Sequence, residues 1–276
     1  MAGQDNYKEA RMKIAVIGNG AIAKYAMQEL TRRGHEVVAQ VLRQERIEAL
    51  SIATAPDHPR KVSSIKDLPP DTEHVIDCAG HHALALHGPP TLRSSLNLTT
   101  LSLGALAEAD LYDVLKKSAI EGGSRLYLAS GAIGSLDCLR AAGIGHLDAV
   151  KYIGRKPPEG WLGSAAEKEI DLAEMKGKPQ THFHGSARVA AIRYPKNANV
   201  AAAVALAGLG FDETEVELIA DPTITKNIHE IHAEGDFGTL TFQISGTALP
   251  ENPRSSALAA MSAVSTFERA NSLIVI

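Results

Sequence analysis

Two histidines, His229 and His232, flank a carboxylate in the segment NIHEIH. Such a pair can bind a metal ion when both rings lie on one side of the backbone, and a single imidazole can transfer protons because it titrates near neutral pH. The surrounding DPTITKNIHEIHAEGDFG is rich in strand formers and turn residues, which predicts a strand. Successive residues of a strand face opposite sides, so the two rings should separate. No metal site is therefore predicted here.

A glycine-rich turn follows the first apolar run, in the segment IAVIGNGAIAKYAM. Gly18, Gly20 and Ala23 occupy the GxGxxG/A positions between a predicted strand and a predicted helix. Gly18 permits a tight turn, and Gly20 lets a pyrophosphate approach the backbone. The first helical turn, with Ala21 and Ile22, then stabilises the phosphate charge. We predict dinucleotide binding at this turn.

The residue expected to contact the cofactor's ribose is basic in this chain. The second predicted strand ends VLRQ, and Arg43 stands where an NAD-specific site usually carries Asp or Glu. A guanidinium can pair with a 2′-phosphate, which favours NADP or the use of both cofactors. An exposed arginine at the start of the next helix explains Arg43 equally well.

Two further loops, CAGHHALALHG and SGAIGSLD, follow predicted strands of the same sheet. Their small residues, among them Ala79, Gly80, Gly131 and Ala132, leave room for a flat nicotinamide ring and a substrate against the backbone. Tight strand-to-helix connections would require such glycines as well.

The remaining candidate metal ligands lack suitable companions. His81, His82 and His87 have no carboxylate or thiolate at ligand spacing, so we expect solvated loop histidines. Cys78 and Cys138 lie in apolar segments without CxxC spacing, which predicts buried, reduced thiols and a cytoplasmic protein.

The order of the predicted elements indicates two domains. In the first part, strands and helices alternate, with strands at 13–17, 36–42, 74–78, 98–103 and 125–129, and helices near 21–33, 44–53, 83–95 and 107–121. In the second part, strand-like runs occur in succession at 181–193, 215–220, 227–233 and 239–245, with helices at 200–207 and 251–270. We predict an α/β fold: a Rossmann-type, doubly wound parallel sheet at 12–134, and an α+β substrate and dimerisation domain at 135–250. The C-terminal segment 251–276 should pack back on the first domain.

Composition is that of a globular protein with a substantial core. The chain has 276 residues, of which 45% are hydrophobic and 22% charged, and a formal net charge of −4. Charges of both signs are interspersed, which argues against a nucleic-acid partner. The longest apolar run, VAAAVALAGLG, is shorter than the ~20 residues of a membrane-spanning helix. The polar N-terminus, residues 1–12, is expected to be a frayed tail.

Several segments together resemble the L-aspartate dehydrogenase family: SGAIGSLD, RYPKNANVAAAVALAGLGFD, DPTITKNIHEIHAEGDFG, KPPEGWLGSAAE and ENPRSSALAAMSAV. The resemblance extends from Met12 nearly to the end of the chain. It implies a dimeric enzyme that interconverts L-aspartate with oxaloacetate and ammonia through iminoaspartate, using NAD or NADP. By position, it implies that Ala132 and Asn199 contact the dinucleotide and that His229 is the catalytic histidine. Ser135 stands where we expect glycine.

The residues themselves leave alternatives open. Asn199 precedes an apolar helical run, so it also fits a helix N-cap. The substrate carboxylates need cationic or hydrogen-bonding partners, and the sequence does not rank the candidates Arg188, Arg193, Lys196, Thr225, Lys226 and Asn227. The same architecture would suit a dehydrogenase of another amino or keto acid, or a non-catalytic dinucleotide sensor.

Overall fold

The computed structural model describes residues 11–51, 59–195, 197–250 and 252–275. The predicted N-terminal tail, apart from Arg11 and Met12, and the candidate Lys196 lie outside these residues. In the first part of the chain the strands are β1 (Lys13–Ile17), β2 (Glu36–Val41), β3 (Arg60–Val62), β4 (His74–Asp77), β5 (Asn97–Thr100) and β6 (Leu126–Leu128). The helices between them are α1 (Ala21–Arg32), α2 (Gln44–Ser51), α3 (His81–Arg93) and α4 (Ala109–Gly122).

These six strands form one parallel sheet in the order β3-β2-β1-β4-β5-β6. This is the strand order of a doubly wound dinucleotide-binding sheet, which confirms the predicted fold class. Ile14, Ala15 and Val16 of β1 are fully buried, as expected for a central strand covered by helices on both faces.

The second part contains a mixed sheet. Its strands are β7 (Leu147–Lys156), β8 (Gln180–Ser186), β9 (Glu215–Ala220), β10 (Asn227–Gly235) and β11 (Gly238–Gly246), followed by a small pair, β12 (Ala248–Leu249) and β13 (Asn252–Ser256). Its helices are α5 (Leu136–Ala142), α6 (Ala187–Arg193), α7 (Asn199–Ala207), α8 (Gly210–Glu213) and α9 (Ala257–Asn271). The five-stranded order is β11-β10-β7-β9-β8, in which β7 and β9 are parallel and the other neighbours antiparallel. The domain bounds 12–134 and 135–250 stay a prediction.

Two predictions of local structure were wrong, and one strand was missed. The predicted strand 181–193 ends at Ser186, whose hydroxyl accepts a hydrogen bond from the backbone of Val189 and so starts α6. The predicted helix 251–270 begins only at Ala257, because 252–256 form β13. The central strand β7 was not predicted.

Two helices connect the two parts of the chain. In α9, Ala263, Val264 and Phe267 pack in one buried cluster with Ala23 and Leu30 of α1. Helix α7 is apolar on all sides, buried along nearly its whole length, and contacts both β7 and the 3-10 turn 103–107 of the first part. Among the helices that the structure describes, none is long and apolar enough to cross a bilayer.

Candidate functional site

The glycine turn after β1 is fixed by its neighbours. Gly18 has φ of +109°, and a Cβ atom there would lie 3.1 Å from Cβ of Ala79. Its carbonyl accepts a hydrogen bond of 2.8 Å from the buried side-chain amide of Gln40, and its N–H donates to the carbonyl of Val41. Glycine is therefore required both by the backbone angle and by the close approach of the next loop.

The N-terminus of α1 is open to an anion. Gly20 is its N-cap, and a Cβ atom there would have no neighbour within 4 Å. No side chain caps the helix and no acidic residue occupies its first turn, so the N–H groups around Ala21 and Ile22 carry uncompensated positive dipole. A dinucleotide pyrophosphate fits this position.

The loop after β4 is held by a buried carboxylate. Asp77 accepts hydrogen bonds from the backbone N–H of Ala79 at 2.9 Å and from the hydroxyls of Thr100 and Ser102 at 2.8 Å each. Burial raises the pKa of Asp77, while the three donors oppose the shift. Gly80 follows with φ of +93° and is the N-cap of α3. The loop thus presents the exposed Ala79 as a small, fixed surface.

The loop after β6 contains an unusual serine. Gly131 has φ of +73° and is followed by Ala132, which is 7% exposed. Ser135, where glycine was expected, adopts a left-handed conformation with φ of +65°, a strain of roughly 1–2 kcal/mol for a non-glycine residue. A Cβ atom on Gly134 would lie 3.0 Å from the Phe242 ring, so this loop packs against β11 of the second sheet.

Asn199 joins the two parts of the chain. Its Oδ1 accepts the backbone N–H of Gly104 at 2.9 Å and lies 2.9 Å from Nε2 of His81, which must therefore donate. The Nδ2 group has no hydrogen-bond partner among the residues that the structure describes, and it remains available to a ligand. The N-cap interpretation was wrong, because Ala198 occupies that position and no side chain caps the helix.

The prediction that His81, His82 and His87 lie in a solvated loop was wrong. All three belong to α3. His81 begins the helix and is half-buried against Asn199, while His82 is exposed. Burial lowers the pKa of the half-buried His87.

His229 and His232 lie on opposite faces of β10, which confirms the predicted separation. His229 is 3% exposed, together with the buried Ile231 and Ala233, while His232 lies 3.4 Å from Glu230 on the other face. Nδ1 of His229 is 2.7 Å from the hydroxyl of Tyr152 on β7.

Gly154 makes room for this contact. It lies directly opposite His229 in the antiparallel pair β7–β10. A Cβ atom on Gly154 would come within 2.7 Å of the Tyr152 hydroxyl. The glycine therefore clears the space through which the phenol reaches the imidazole.

Burial determines the protonation states around His229. It lowers the pKa of His229 to about 3, with a further contribution from the positive charge of Lys156. Burial also lowers the pKa of Lys156 to about 8 and raises that of Tyr152. At neutral pH the imidazole and phenol are therefore uncharged and the ammonium is charged. Lys156 donates a hydrogen bond of 2.7 Å to Oδ1 of Asn197, two residues before Asn199.

The candidates for binding the substrate carboxylates differ in their partners and in their exposure. Arg188 donates to both carboxylate oxygens of Asp212, at 2.6 and 2.8 Å, and Arg193 pairs with Glu169 at 2.5 Å. Lys226 is exposed. Thr225 is also exposed, and Asn227 is half-buried.

Sequence reasoning missed Tyr152 and Lys156. With Gly154 they occupy alternate positions of β7, and they face the same side as His229. This alternation along the strand could have indicated that the three residues share a face, but β7 was not predicted from the sequence.

Two further expectations concern exposed side chains. Arg43 follows β2 directly and is exposed, while its carbonyl accepts the N–H groups of Arg46 and Ile47 at the start of α2. This position is compatible with both interpretations of Arg43.

Both cysteines are free, but Cys138 is exposed on α5, so the prediction of a buried thiol was wrong there.

Comparisons with known proteins find matches for both parts of the chain. Residues 137–270 match the family model "Aspartate dehydrogenase, C-terminal", and residues 18–129 match "Homoserine dehydrogenase, NAD binding domain". The chain is 48% identical over 264 residues to the L-aspartate dehydrogenase of Ruegeria pomeroyi, covering 96% of this chain and 94% of that protein. It is 41% identical over 257 residues to the L-aspartate dehydrogenase of Cupriavidus necator, covering 92% and 95%.

A solved structure shows the same fold. The crystal structure of aspartate dehydrogenase from Thermotoga maritima matches with a TM-score of 0.75 at 24% identity, covering 97% of this chain and 100% of the other. The similarity therefore includes both sheets and the helices between them.

Proposed function

The chain belongs to the L-aspartate dehydrogenase family, and we propose that it oxidises L-aspartate to oxaloacetate and ammonia, reversibly, through iminoaspartate. The cofactor is NAD or NADP. The balanced reaction converts L-aspartate, NAD(P)⁺ and water into oxaloacetate, ammonium, NAD(P)H and one proton. The observation that supports it most directly is the buried, neutral His229, whose Nδ1 is held by Tyr152 on the same face of the sheet as Lys156.

The cofactor would lie along the carboxyl edge of the parallel sheet. When bound, the dinucleotide supplies the hydride acceptor. The residues we propose to hold its pyrophosphate are Gly18, Gly20, Ala21 and Ile22, and those that would border the nicotinamide side are Ala79, Gly80, Ala132 and Asn199. For Asn199 the free Nδ2 group is the proposed donor. Arg43 is the proposed partner of a 2′-phosphate.

His229 is the proposed general acid and base. Hydride removal from the α-carbon leaves an imine, which water must attack before ammonia can leave. The imidazole would accept a proton from the attacking water and return one to the departing nitrogen. Tyr152 can accept a hydrogen bond from Nδ1–H, which would leave the lone pair of Nε2 free for this work.

The low pKa of His229 belongs to the chain without substrate. Part of the shift comes from the positive charge of Lys156. A dicarboxylic substrate brings two negative charges into the same region, which oppose that charge and favour the imidazolium. Substrate binding would therefore raise the basicity of His229 when a base is needed.

Two further properties complete the proposal. We propose a homodimer, as the family resemblance implies. A cytoplasmic location is supported by the two free cysteines, since disulfides are uncommon in that compartment.

Initial rates test the proposal. The purified protein is assayed at alkaline pH with L-aspartate against L-glutamate, L-alanine and L-malate, each with NAD⁺ and NADP⁺, and in reverse with oxaloacetate plus ammonium. We expect reduction of at least one cofactor with L-aspartate at the highest kcat/KM of the panel. Absence of turnover in both directions would refute the proposed activity, and preference for another substrate would replace aspartate.

A further inference from the structure

Lys156 is a buried lysine at the edge of the candidate site. It ends β7, is 8% exposed, and faces the same side of the strand as Tyr152 and Gly154. Because Gly154 is paired with His229, the ammonium lies on the His229 side of the sheet. Its positive charge adds to the lowering of the His229 pKa that burial causes.

The neighbours of this ammonium are neutral. Nζ donates to Oδ1 of Asn197 at 2.7 Å and lies 4.8 Å from the centroid of the buried Trp161 ring. The His182 ring packs edge-on against the same indole, with the ring centroids 4.4 Å apart, and burial lowers the pKa of His182 to about 4. An amide, an indole and uncharged imidazoles can solvate a cation, but they do not neutralise it.

The side chain of Asp221 is engaged elsewhere. Asp221, whose backbone N–H donates to the Lys156 carbonyl, pairs through its side chain with Arg155 at 3.1 Å and with Thr223. Among the residues that the structure describes, no acidic side chain forms an ion pair with Lys156. Buried charges in proteins are usually paired, so an unpaired one beside a candidate catalytic group indicates a site for an anion.

We propose that Nζ of Lys156 is the carboxylate subsite of this enzyme, binding one carboxylate of a dicarboxylic amino or keto acid next to His229. This inference rests on the proposed function for the identity of the substrate. The bound carboxylate would complete the ion pair that the interior lacks, and it would place the α-carbon near the imidazole. Exposed surface charges such as Lys226 would then have no part in recognition.

The experiment compares Lys156→Met with a matched control in the holoenzyme. Lys151 lies on the same strand but on the opposite face, where it pairs with Glu215 and Glu217, so Lys151→Met removes an identical charge outside the site. We expect Lys156→Met, assayed at pH 7 where the wild-type ammonium is charged, to raise KM for L-aspartate by ~10- to 100-fold, the range of a hydrogen bond to a charged group. Lys151→Met should change it less than about twofold, because this half-buried lysine lies on the opposite face of the strand.

A second readout does not depend on turnover. Trp161 is the single tryptophan of the chain and lies beside Nζ, so its fluorescence reports directly on this position. In wild-type protein with NAD⁺, succinate should shift the emission saturably and compete with L-aspartate, whereas propionate should do so far more weakly. Lys156→Met should abolish the succinate response while leaving NADH binding unchanged.

The outcomes separate the two proposals. Wild-type protein that does not turn over L-aspartate would refute the proposed function. If wild-type protein is active but Lys156→Met leaves KM and succinate binding unchanged, the carboxylate subsite is refuted and the proposed function stands. If Lys156→Met does not fold, Lys156→Arg, which keeps the charge, and the wild-type comparison of succinate with propionate still decide the question. Equal responses to the two acids would also refute the subsite.

Discussion

The hydroxyl of Tyr152 and Nδ1 of His229 lie 2.7 Å apart in the protein interior, where neither residue is more than 3% exposed. The phenol has no other hydrogen-bond partner among the residues that the structure describes, and the two rings are nearly parallel, with an interplanar angle of 17°. This contact fixes the orientation of the imidazole and occupies one of its two nitrogens. Nε2 is then the nitrogen available for proton transfer.

Tyr152→Phe tests that relationship, because it keeps the ring and removes only the hydroxyl. We expect kcat with L-aspartate to fall ~10-fold and the free energy of unfolding to fall by about 1 kcal/mol, since Nδ1 is left buried without a partner. The KM for the dinucleotide should not change. Tyr112→Phe, at an exposed tyrosine of α4, is the control. An unchanged kcat would show that Tyr152 does not position the imidazole.

The two histidines of β10 should differ sharply in function. His229→Ala is expected to lower kcat at least ~100-fold, the lower end of general acid–base contributions, while NADH still binds. His232→Ala, on the other face of the same strand, should retain near wild-type kcat. Initial rates and NADH fluorescence titrations measure both effects. Equal losses in the two variants would contradict the assignment.

Much of this arrangement could be predicted from local sequence patterns. The turn at Gly18 is recognisable because its strand, glycines and helix are contiguous, and the period-2 pattern around His229 separates it from His232. By contrast, the partners of His229 come from β7. Tyr152, which contacts the imidazole, is 77 residues away in the sequence. No local pattern indicates that pairing.

The errors have similar physical causes. Asn199 is a good N-cap residue by type, yet the backbone of Gly104 and the ring of His81, 95 and 118 residues away, hold its side chain instead. The segment 187–193 contains Val and Ile but also alanines and arginines, and the cap at Ser186 decides for a helix. Tertiary contacts and caps override propensities at these positions.

Asn199→Asp separates the two roles of that side chain. The carboxylate keeps the acceptor that Gly104 and His81 use, but it loses the Nδ2 donors. We expect the KM for the dinucleotide to rise ~10-fold with little change in the thermal midpoint, since one hydrogen bond to the ligand is lost. Asn199→Ala should show the same rise and also unfold about 1–2 kcal/mol more easily, because it leaves the Gly104 N–H unpaired. An unchanged KM in Asn199→Asp would mean that the residue is purely structural.

Arg43→Ala tests the choice of cofactor. If the exposed guanidinium pairs with a 2′-phosphate, the variant should raise KM for NADP⁺ by ~10-fold or more and leave KM for NAD⁺ nearly unchanged. Arg46→Ala, at an exposed arginine of α2, is the control. The ratio of kcat/KM values for the two cofactors is the measurement. A ratio that is the same in wild type and Arg43→Ala would exclude Arg43 from cofactor recognition.

The lowered pKa of Lys156 makes a prediction about stability. Burial shifts this pKa from 10.5 to about 8, so the unfolded chain binds more protons than the folded one between these values. Below about pH 8 the charged lysine therefore lowers the free energy of unfolding by about 3 kcal/mol, and this penalty disappears as pH rises to about 10.5.

Lys156→Met should then be more stable than wild type at pH 7, and the difference should shrink as pH rises towards 10.5. The groups that face the ammonium do not titrate in this window, since His182 and His229 are already neutral and Asn197 and Trp161 are uncharged. Urea unfolding at pH 7, 9 and 10.5 measures the difference. A lysine kept for stability would give the reverse result, with Lys156→Met less stable at pH 7. A stabilised variant that has also lost affinity for L-aspartate would show that the unpaired charge is maintained for binding.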